Sequence, residues 1–378
     1  MNISIYYIGL YIFSYFALGS LLPLLSQYLL SIGLNGIQIG TITASGLLAG
    51  ILTTPLWGMA CDRTGKSKRI LLIILTCPAI LSLFIMSAKQ YIIILILYVM
   101  MYMFQNSIFP VMDSIVLGHT SDFGRIRLWG SVGFAFGVFL SGIIAQKIGL
   151  HMIFILYSCF AFISVLFLKN IHTIDNKKTT LTNFQGVNQL FKNKKYLLFI
   201  FAAFFIQGPI IAHNTYFSIL YTYVGGTIAG VGMTFFLFCI SEAPVMLVLK
   251  KSERYFSIEK LLIASMFISI LRWYWYSTAP PPAQLMAAFM LQGIVNGIFI
   301  VMAMRYISDI TQNETKSTAI AIYSSVCNGL GAMICQYVGG VVLNRTGPAE
   351  IYFVYFVLNC IGVAIFLIPK FCRKYKLN

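Results

Sequence analysis

Twelve long apolar runs follow one another through this chain, and they limit what it can fold into. Each run approaches or exceeds the roughly 20 residues that a helix needs to cross a lipid bilayer. The runs do not alternate apolar and polar residues, so helices are favoured over the strands of a barrel. They lie at about 5–30, 38–60, 70–88, 91–117, 128–146, 152–168, 196–220, 227–249, 261–277, 283–307, 317–343 and 350–368. The sequence therefore predicts an all-α integral membrane protein with twelve transmembrane helices.

The charge content supports this prediction. Charged residues make up 10% of the chain, against about 25% in ordinary soluble domains, which excludes a soluble enzyme. The formal net charge of +16 first suggests nucleic acid binding, but the basic residues lie between the apolar runs and form no continuous basic face. We expect the lipid bilayer and no nucleic acid as partner. The eight cysteines form no metal-binding pattern, so no metal or cofactor is expected.

The basic residues also predict the orientation of the helices. Of the 26 Lys and Arg residues, 22 lie in alternate loops and the C-terminal tail, and only three lie in the opposite loops. Basic loops stay in the cytoplasm, so both termini are predicted to be cytoplasmic in a multi-pass protein of the cell membrane. The longest polar connection, 169–195, is predicted to be a cytoplasmic linker between two six-helix halves, 1–168 and 196–378.

A weak internal repeat favours a pseudo-symmetric pair of halves. Pro55 in span 2 and Pro244 in span 8 each precede a basic loop and the next apolar run. Matching proline-interrupted helices in two halves are typical of secondary transporters, whose halves move around a site near the bilayer midplane. We therefore expect a transporter that works by alternating access.

The segment Gly-Met-Ala-Cys-Asp-Arg-Thr-Gly-Lys at 58–66 lies between spans 2 and 3. It resembles the signature loop of the major facilitator superfamily, and this resemblance implies the twelve-helix fold of that superfamily. A glycine there permits a tight turn, and an acid near a helix end pairs with basic groups of a neighbouring helix to latch one conformation. The residues predicted to form this latch are Gly58, Asp62, Arg63, Gly65 and Lys66.

A second segment, Asp-Phe-Gly-Arg-Ile-Arg-Leu-Trp-Gly-Ser-Val-Gly-Phe at 122–134, opens span 5. It is similar to the corresponding block of lactose and other oligosaccharide–proton symporters, and more similar to the phenylpropionate-permease-like branch, with nucleoside–proton symporters nearby. In the lactose-permease relatives, the acid and the arginine that match Asp113 and Arg127 belong to the substrate site. The histidine and glutamate of their span 10 correspond here to Gln292 and Val295, which cannot carry a proton near neutral pH.

Four ionisable residues lie within or just inside the spans, where a charge needs a partner or a wet cavity. Asp113 and Arg127 lie at the ends of spans 4 and 5 that one hairpin joins, so they are expected to pair, although Arg127 could instead reach lipid phosphates. Glu242 and Arg272 lie at similar depth in consecutive spans and are also expected to pair. A glutamate whose arginine moves away on substrate binding can take up a proton. Glu242 is therefore the predicted proton carrier, with Asp113 as a second coupling group; a permanent structural pair is the alternative for Glu242.

Uncharged side chains complete the predicted site. Phe134, Gln292 and Asn296 are predicted to contact substrate together with Asp113, Arg127 and Arg272. Further polar candidates, each of which can instead hydrogen-bond between helices, are Ser14, Gln207, His213, Asn214 and Asn328.

These patterns favour a monomeric proton symporter for a small organic solute of the sugar, nucleoside or aromatic acid class. A drug–proton antiporter is the first alternative, but such antiporters usually carry a Gly-Pro motif in span 5, and 128–146 contains no proline. A membrane sensor that binds a solute without moving it is the second alternative; we expect no appended signalling domain. No arrangement of residues suggests an enzyme.

Overall fold

The structure is a computed structural model and describes residues 3–117, 123–171, 187–252, 257–312 and 315–374. Apart from short turns these residues are helical, and no strand occurs among them. The helices are α1 (Ile3–Ser31), α2 (Gly36–Thr64), α3 (Ser67–Ser87), α4 (Tyr91–Gln105), α5 (Ile108–Leu117), α6 (Phe123–Ile148), α7 (Met152–Lys169), α8 (Val187–Lys192), α9 (Lys194–Tyr223), α10 (Ile228–Ser252), α11 (Ile258–Ser277), α12 (Pro282–Ile310), α13 (Lys316–Tyr323), α14 (Ala332–Arg345) and α15 (Pro348–Lys374). A π-helical segment, Ser324–Gly331, joins α13 to α14.

Ten helical stretches of the described residues are long and apolar enough to cross a membrane. Two of them are interrupted: α4 and α5 together form one stretch, and α13 through α14 form another. Two further helices, α10 and α11, lie at the positions of the predicted spans 8 and 9, and α11 contains Arg272. The predicted all-α membrane architecture is thereby confirmed for the described part of the chain.

The ends of α2 show how the sequence sets a helix boundary. Asn35 accepts a hydrogen bond from the Gln38 backbone, and the Gln38 side chain accepts one from the Asn35 backbone, so both exposed amides are satisfied. At the other end, Gly65 has φ 65° and its N–H donates to the Cys61 carbonyl. This left-handed conformation favours glycine, and it turns the chain into α3.

Span 4 is broken between α4 and α5. Ser107 donates its N–H to the Phe104 carbonyl and not to the Met103 carbonyl four residues before it, and Pro110, which has no N–H, lies in the first turn of α5. The Met103 carbonyl, which lies just before the break, instead accepts hydrogen bonds from Thr53 Oγ1 and Trp57 Nε1 of α2, both at 2.9 Å. The broken span is therefore held by α2.

Contacts group the chain into two compact units. The first comprises Met1–Leu181, Phe217–Thr222 and Gly226–Phe236, and the second comprises Thr182–Tyr216, Tyr223–Gly225 and Leu237–Asn378. Within the first unit α1 packs against α6 and α7, and within the second α11 packs against α12 and α15. The two halves at 1–168 and 196–378, with 169–195 as their linker, remain a prediction.

Candidate functional site

An ion pair in the first unit joins span 4 to span 5. Arg127 Nε of α6 lies 3.9 Å from Asp113 Oδ2 of α5. Tyr11 of α1 donates its hydroxyl to Asp113 Oδ1 in a short hydrogen bond, and Arg127 Cζ lies 4.9 Å from the centre of the Tyr15 ring. The predicted Asp113–Arg127 pair is therefore confirmed. We name Tyr11, Tyr15, Asp113 and Arg127 together the tyrosine–arginine cluster.

The charges of this cluster are partly exposed. The side chain of Arg127 is 42% exposed and that of Asp113 is 26% exposed. Because a charge in the membrane interior costs about 2.5–3.5 kcal/mol or more, these exposed parts need water or a polar ligand beside them. The guanidinium contacts a carboxylate and a tyrosine ring, and whether Arg127 serves substrate or lipid phosphates stays a prediction.

Glycines of α6 bring this helix against α1 and so position the two tyrosines. A Cβ on Gly133 would lie 2.2 Å from the Ile12 carbonyl oxygen, and one on Gly137 would lie 2.4 Å from the Phe16 carbonyl oxygen. A Cβ on Gly130 would lie 2.7 Å from the Tyr15 ring. Small residues allow this close approach of two helices in a bilayer. Phe134, on the same helix, is half-buried, and its contact with substrate remains a prediction.

Glu242 of α10 has a different partner from the one predicted. Asn296 of α12 donates from Nδ2 to Glu242 Oε1 at 2.6 Å, and the expected ion pair with Arg272 is not formed, so that prediction is wrong. The reason is packing: a Cβ on Gly293 would lie 2.8 Å from the Phe238 carbonyl oxygen, so α12 lies directly against α10. Helix α11, which carries Arg272, packs against α12 and α15.

Arg272 lies inside the second unit among aromatic rings. Its side chain is buried, with the residue 1% exposed, and its Cζ lies 3.8 Å from the Trp273 ring centre and 5.3 Å from the Tyr276 ring centre. None of its three guanidinium nitrogens reaches an acceptor at normal hydrogen-bond geometry within the described residues. His213 packs its ring beside the same group, with its centre 5.1 Å from that of Trp273, and its Nδ1 lies 3.1 Å from the Tyr352 hydroxyl.

The remaining polar candidates differ in their burial and their hydrogen bonds. Gln292 is 2% exposed and its Oε1 has no hydrogen-bond partner among the described residues, and the same holds for Asn328 Oδ1 in the π-helical segment. Ser14 bonds to Ser164 at 2.6 Å, and Gln207 donates to the Tyr323 hydroxyl at 3.1 Å, as helix-to-helix hydrogen bonds do. Asn214 is exposed.

The signature segment ends α2 and begins α3. Its turn glycine is Gly65, whereas Gly58 lies within α2 with open space where a Cβ would be. Asp62, Arg63 and Lys66 are exposed. Asp62 forms no ion pair with any residue that the structure describes, so the latch remains a prediction.

A lysine just beyond this segment makes a connection that was not predicted. Lys68 of α3 donates from Nζ to the carbonyl oxygens of Lys169 at 2.8 Å and Ile171 at 2.5 Å. These carbonyls lie at the C-terminal end of α7, where a helix has unpaired acceptors and a favourable site for a cation. Lys68 therefore ties the start of α3 to the end of α7.

Tyr11 and Tyr15 were also missing from the predicted site, although a signal for them exists. They are four residues apart on α1, and side chains at this spacing lie on one face of a helix. Their rings stack at 6.2 Å. A polar hydroxyl repeated on one face of an otherwise apolar span indicates a polar partner across that face, which here is Asp113.

Known proteins similar to this chain are transporters. Residues 4–354 match the MFS_1 like family. An uncharacterized transporter of Bacillus subtilis strain 168, YwbF, is 31% identical over 375 residues, which are 97% of this chain and 94% of that protein. The maltose permease of Geobacillus stearothermophilus is 32% identical over 363 residues, 95% of this chain and 92% of that protein. A crystal structure of a point variant of the nucleoside transporter NupG has a TM-score of 0.87 at 17% identity and covers 97% of this chain and 99% of that one.

Proposed function

Since this chain belongs to the MFS_1 like family of the major facilitator superfamily, and is thus a multi-pass membrane transporter of a small solute, we propose that it takes up a sugar, a nucleoside or an aromatic acid by proton symport. The twelve-helix fold of the superfamily, expected from the sequence, is confirmed by the likeness to NupG. The name of the maltose permease supports the sugar class for this chain, and that of NupG supports the nucleoside class.

The tyrosine–arginine cluster is the observation that carries this proposal. It brings together a carboxylate, a guanidinium and two tyrosine hydroxyls from three spans of one unit, and both charged side chains are partly exposed. Sugars and nucleosides offer hydroxyls and apolar ring faces, and an aromatic acid offers a carboxylate and a ring. Asp113 accepts hydrogen bonds, Arg127 donates them, and the rings of Tyr15 and Phe134 stack on a flat face. Arg272, Gln292 and Asn296 are the further proposed substrate contacts.

Proton coupling is proposed to use Glu242, with Asp113 as a second coupling group. The Asn296 amide is a neutral donor, and Oε1 of Glu242 accepts its hydrogen bond whether or not a proton sits on Oε2. The observed pair therefore tolerates both protonation states, as a proton carrier requires. In this arrangement proton uptake by Glu242 does not require Arg272 to move away from it.

We also propose that transport occurs by alternating access, that both termini are cytoplasmic in the cell membrane, and that the protein acts as a monomer. The 22-to-3 distribution of basic residues supports the orientation. A C-terminal green fluorescent protein fusion should fluoresce and a C-terminal alkaline phosphatase fusion should be inactive. The reverse pair of results contradicts the orientation.

The first test is a thermal-shift panel on the detergent-purified chain with maltose, uridine, phenylpropionate and tetraphenylphosphonium. A ligand that binds the folded state raises its stability by about 2.7 kcal/mol at a hundredfold excess over Kd. We expect one of the first three solutes to stabilise the protein, and Asp113→Asn and Arg127→Gln to abolish the effect. Stabilisation by tetraphenylphosphonium alone contradicts the proposal and favours the antiporter.

The second test separates transport and coupling in proteoliposomes. With the stabilising solute, wild type should show counterflow and should accumulate that solute under an inward proton gradient. Glu242→Gln should keep counterflow and lose gradient-driven accumulation, because the amide cannot take up a proton. Glu350→Gln, at the exposed start of α15, is the matched control. Binding without counterflow in wild type favours the sensor, and gradient-driven accumulation by Glu242→Gln excludes Glu242 as the carrier.

A further inference from the structure

The second unit contains a buried cation, Arg272, that no acid among the described residues neutralises. Arg272 is 1% exposed and forms no ion pair with any described residue. Glu242 is engaged by Asn296, and Glu259 lies on the same helix about 20 Å away by helical rise. Glu350 is exposed at the first turn of α15. A charge taken out of water in this way is costly unless a partner compensates it.

A second unsatisfied donor lies beside the first. Trp273 is fully buried, and its indole Nε1–H has no acceptor among the described residues. Its ring lies 3.8 Å from the guanidinium carbon of Arg272. The Tyr276 hydroxyl donates its hydrogen to the Leu285 carbonyl and presents its oxygen to the guanidinium, but this oxygen is neutral and does not balance the charge of Arg272. Buried polar groups in proteins are nearly always hydrogen-bonded, so two adjacent unsatisfied donors, one of them charged, favour a polar partner from outside the chain.

The chemistry of these donors defines the kind of ligand that would satisfy them. Arginine and indole N–H groups donate and do not accept, and the guanidinium presents a planar fork that matches a carboxylate. One uncompensated positive charge is balanced by one negative charge, which favours a monoanion over a dianion. The surrounding rings, which include His213 and Phe289 with centres 4.9 Å apart, exclude water and strengthen the attraction.

We propose that Arg272 and Trp273 form a binding site for a monoanionic group, either the carboxylate of the transported solute or a free anion such as chloride. In the first case, a solute carboxylate, the inference rests on the proposed function and makes the transported solute an organic acid. In the second case, a free anion such as chloride, the protein has an ion site that is separate from its solute site. Both cases share one requirement, which is that Arg272 donates to a singly charged acceptor.

Binding is tested without transport, by thermal shift of the full-length purified chain in chloride-free buffer. The probes are sodium benzoate, sodium acetate and sodium chloride, with benzamide and acetamide as neutral isosteres and sodium sulfate at matched ionic strength. We expect at least one monoanion to raise the melting temperature saturably, while the amides and sulfate do not. A response to carboxylates alone indicates a solute carboxylate, and a response that includes chloride indicates a free anion.

Variants connect the response to the site. Arg272→Met should weaken the apparent affinity at least about tenfold, because a hydrogen bond to a charged group is lost. Trp273→Phe keeps the ring, removes the N–H and should weaken it about fivefold by the loss of one hydrogen bond. Lys260→Met, which removes a positive charge from the exposed start of the same helix, should leave the affinity unchanged.

The proposal is overturned if no monoanion gives a saturable shift in wild type, or if Trp273→Phe and Arg272→Met both respond like Lys260→Met. Should Arg272→Met fail to fold, Trp273→Phe still decides. Anion binding with no transport in proteoliposomes contradicts the proposed function and leaves this site standing. Transport of a neutral sugar with no anion response supports the proposed function and overturns this site.

Discussion

Gly133→Ala should separate two helices and disturb the tyrosine–arginine cluster from a distance. The added Cβ would lie 2.2 Å from the Ile12 carbonyl oxygen, whereas carbon and oxygen atoms in contact need about 3.2 Å or more. The obstacle is backbone, so no side-chain rotation relieves it. Helices α1 and α6 must therefore move apart locally by about 1 Å.

Two effects of known size should follow. Overpacking at a tight contact costs about 1–3 kcal/mol of folding stability. A shift of about 1 Å between α1 and α6 also weakens the contact between the Tyr15 ring of α1 and Arg127 of α6, whose Cζ lies 4.9 Å from the ring centre. A cation–π contact contributes about 0.5–2 kcal/mol, so solute affinity should fall roughly two- to thirtyfold.

The matched control is Gly58→Ala on α2, where a Cβ would meet nothing within 4 Å. Alanine in place of glycine inside a helix stabilises it by about 1 kcal/mol, so the melting temperature should rise slightly. Both variants are measured by thermal shift in the same detergent, with and without the solute that the panel identifies. An unchanged melting temperature and unchanged solute affinity in Gly133→Ala refute the packing argument. A stabilised Gly58→Ala that has lost transport indicates that another conformation fills that space.

Three smaller perturbations test the other contacts. Tyr11→Phe removes the hydroxyl that donates to the cluster carboxylate and should weaken solute binding about tenfold. Tyr15→Phe keeps the ring over the guanidinium and should change solute affinity little. Equal affinities of the two variants in thermal-shift titrations argue against a role of the Tyr11 hydroxyl in binding. Lys68→Met loses two hydrogen bonds at the end of α7 and should lower the melting temperature by a few degrees, about 1 kcal/mol, and the neighbouring exposed Arg69→Met should not. Trp57→Phe removes one of two donors to the carbonyl before the break in span 4 and should destabilise the protein by about 1 kcal/mol; an unchanged melting temperature means that the other donor alone suffices.

The helices could be predicted because each one leaves a local pattern. The sequence predicts span 2 at 38–60, and the helix runs over Gly36–Thr64 because Asn35 with Gln38 and the left-handed Gly65 fix its ends. The Asp113–Arg127 pair was predictable for a similar reason. A short hairpin joins the two spans, so their adjacent ends must meet.

The partner of Glu242 could not be found in this way. Consecutive spans 8 and 9 were assumed to be neighbours, but small residues decide which helices approach most closely in a bilayer. Gly293, Asn296 and Gly297 lie on one face of α12, and that face lies against α10. This spacing is the signal that the sequence contains. The π-helical segment at Ser324–Gly331 has no comparable pattern, because an extra residue per turn depends on packing rather than on local propensity.

The separate charges of Glu242 and Arg272 in the second unit predict how much net charge transport moves. Glu242 is a carboxylate whose described partner is a neutral amide, and Arg272 is a cation whose described neighbours are aromatic rings. If the two charges paired, neither would have a reason to bind anything. Because they are separate, we expect a proton to neutralise the first and a monoanion to neutralise the second, as proposed above. When that monoanion is the solute carboxylate and Glu242 alone carries a proton, one proton and one negative charge cross together, so no net charge moves. Uptake in proteoliposomes should then follow the pH gradient and should not respond to a potassium diffusion potential set with valinomycin. Uptake that a negative-inside potential drives at equal pH means that net positive charge enters, and one proton with one carboxylate is then not the transported pair.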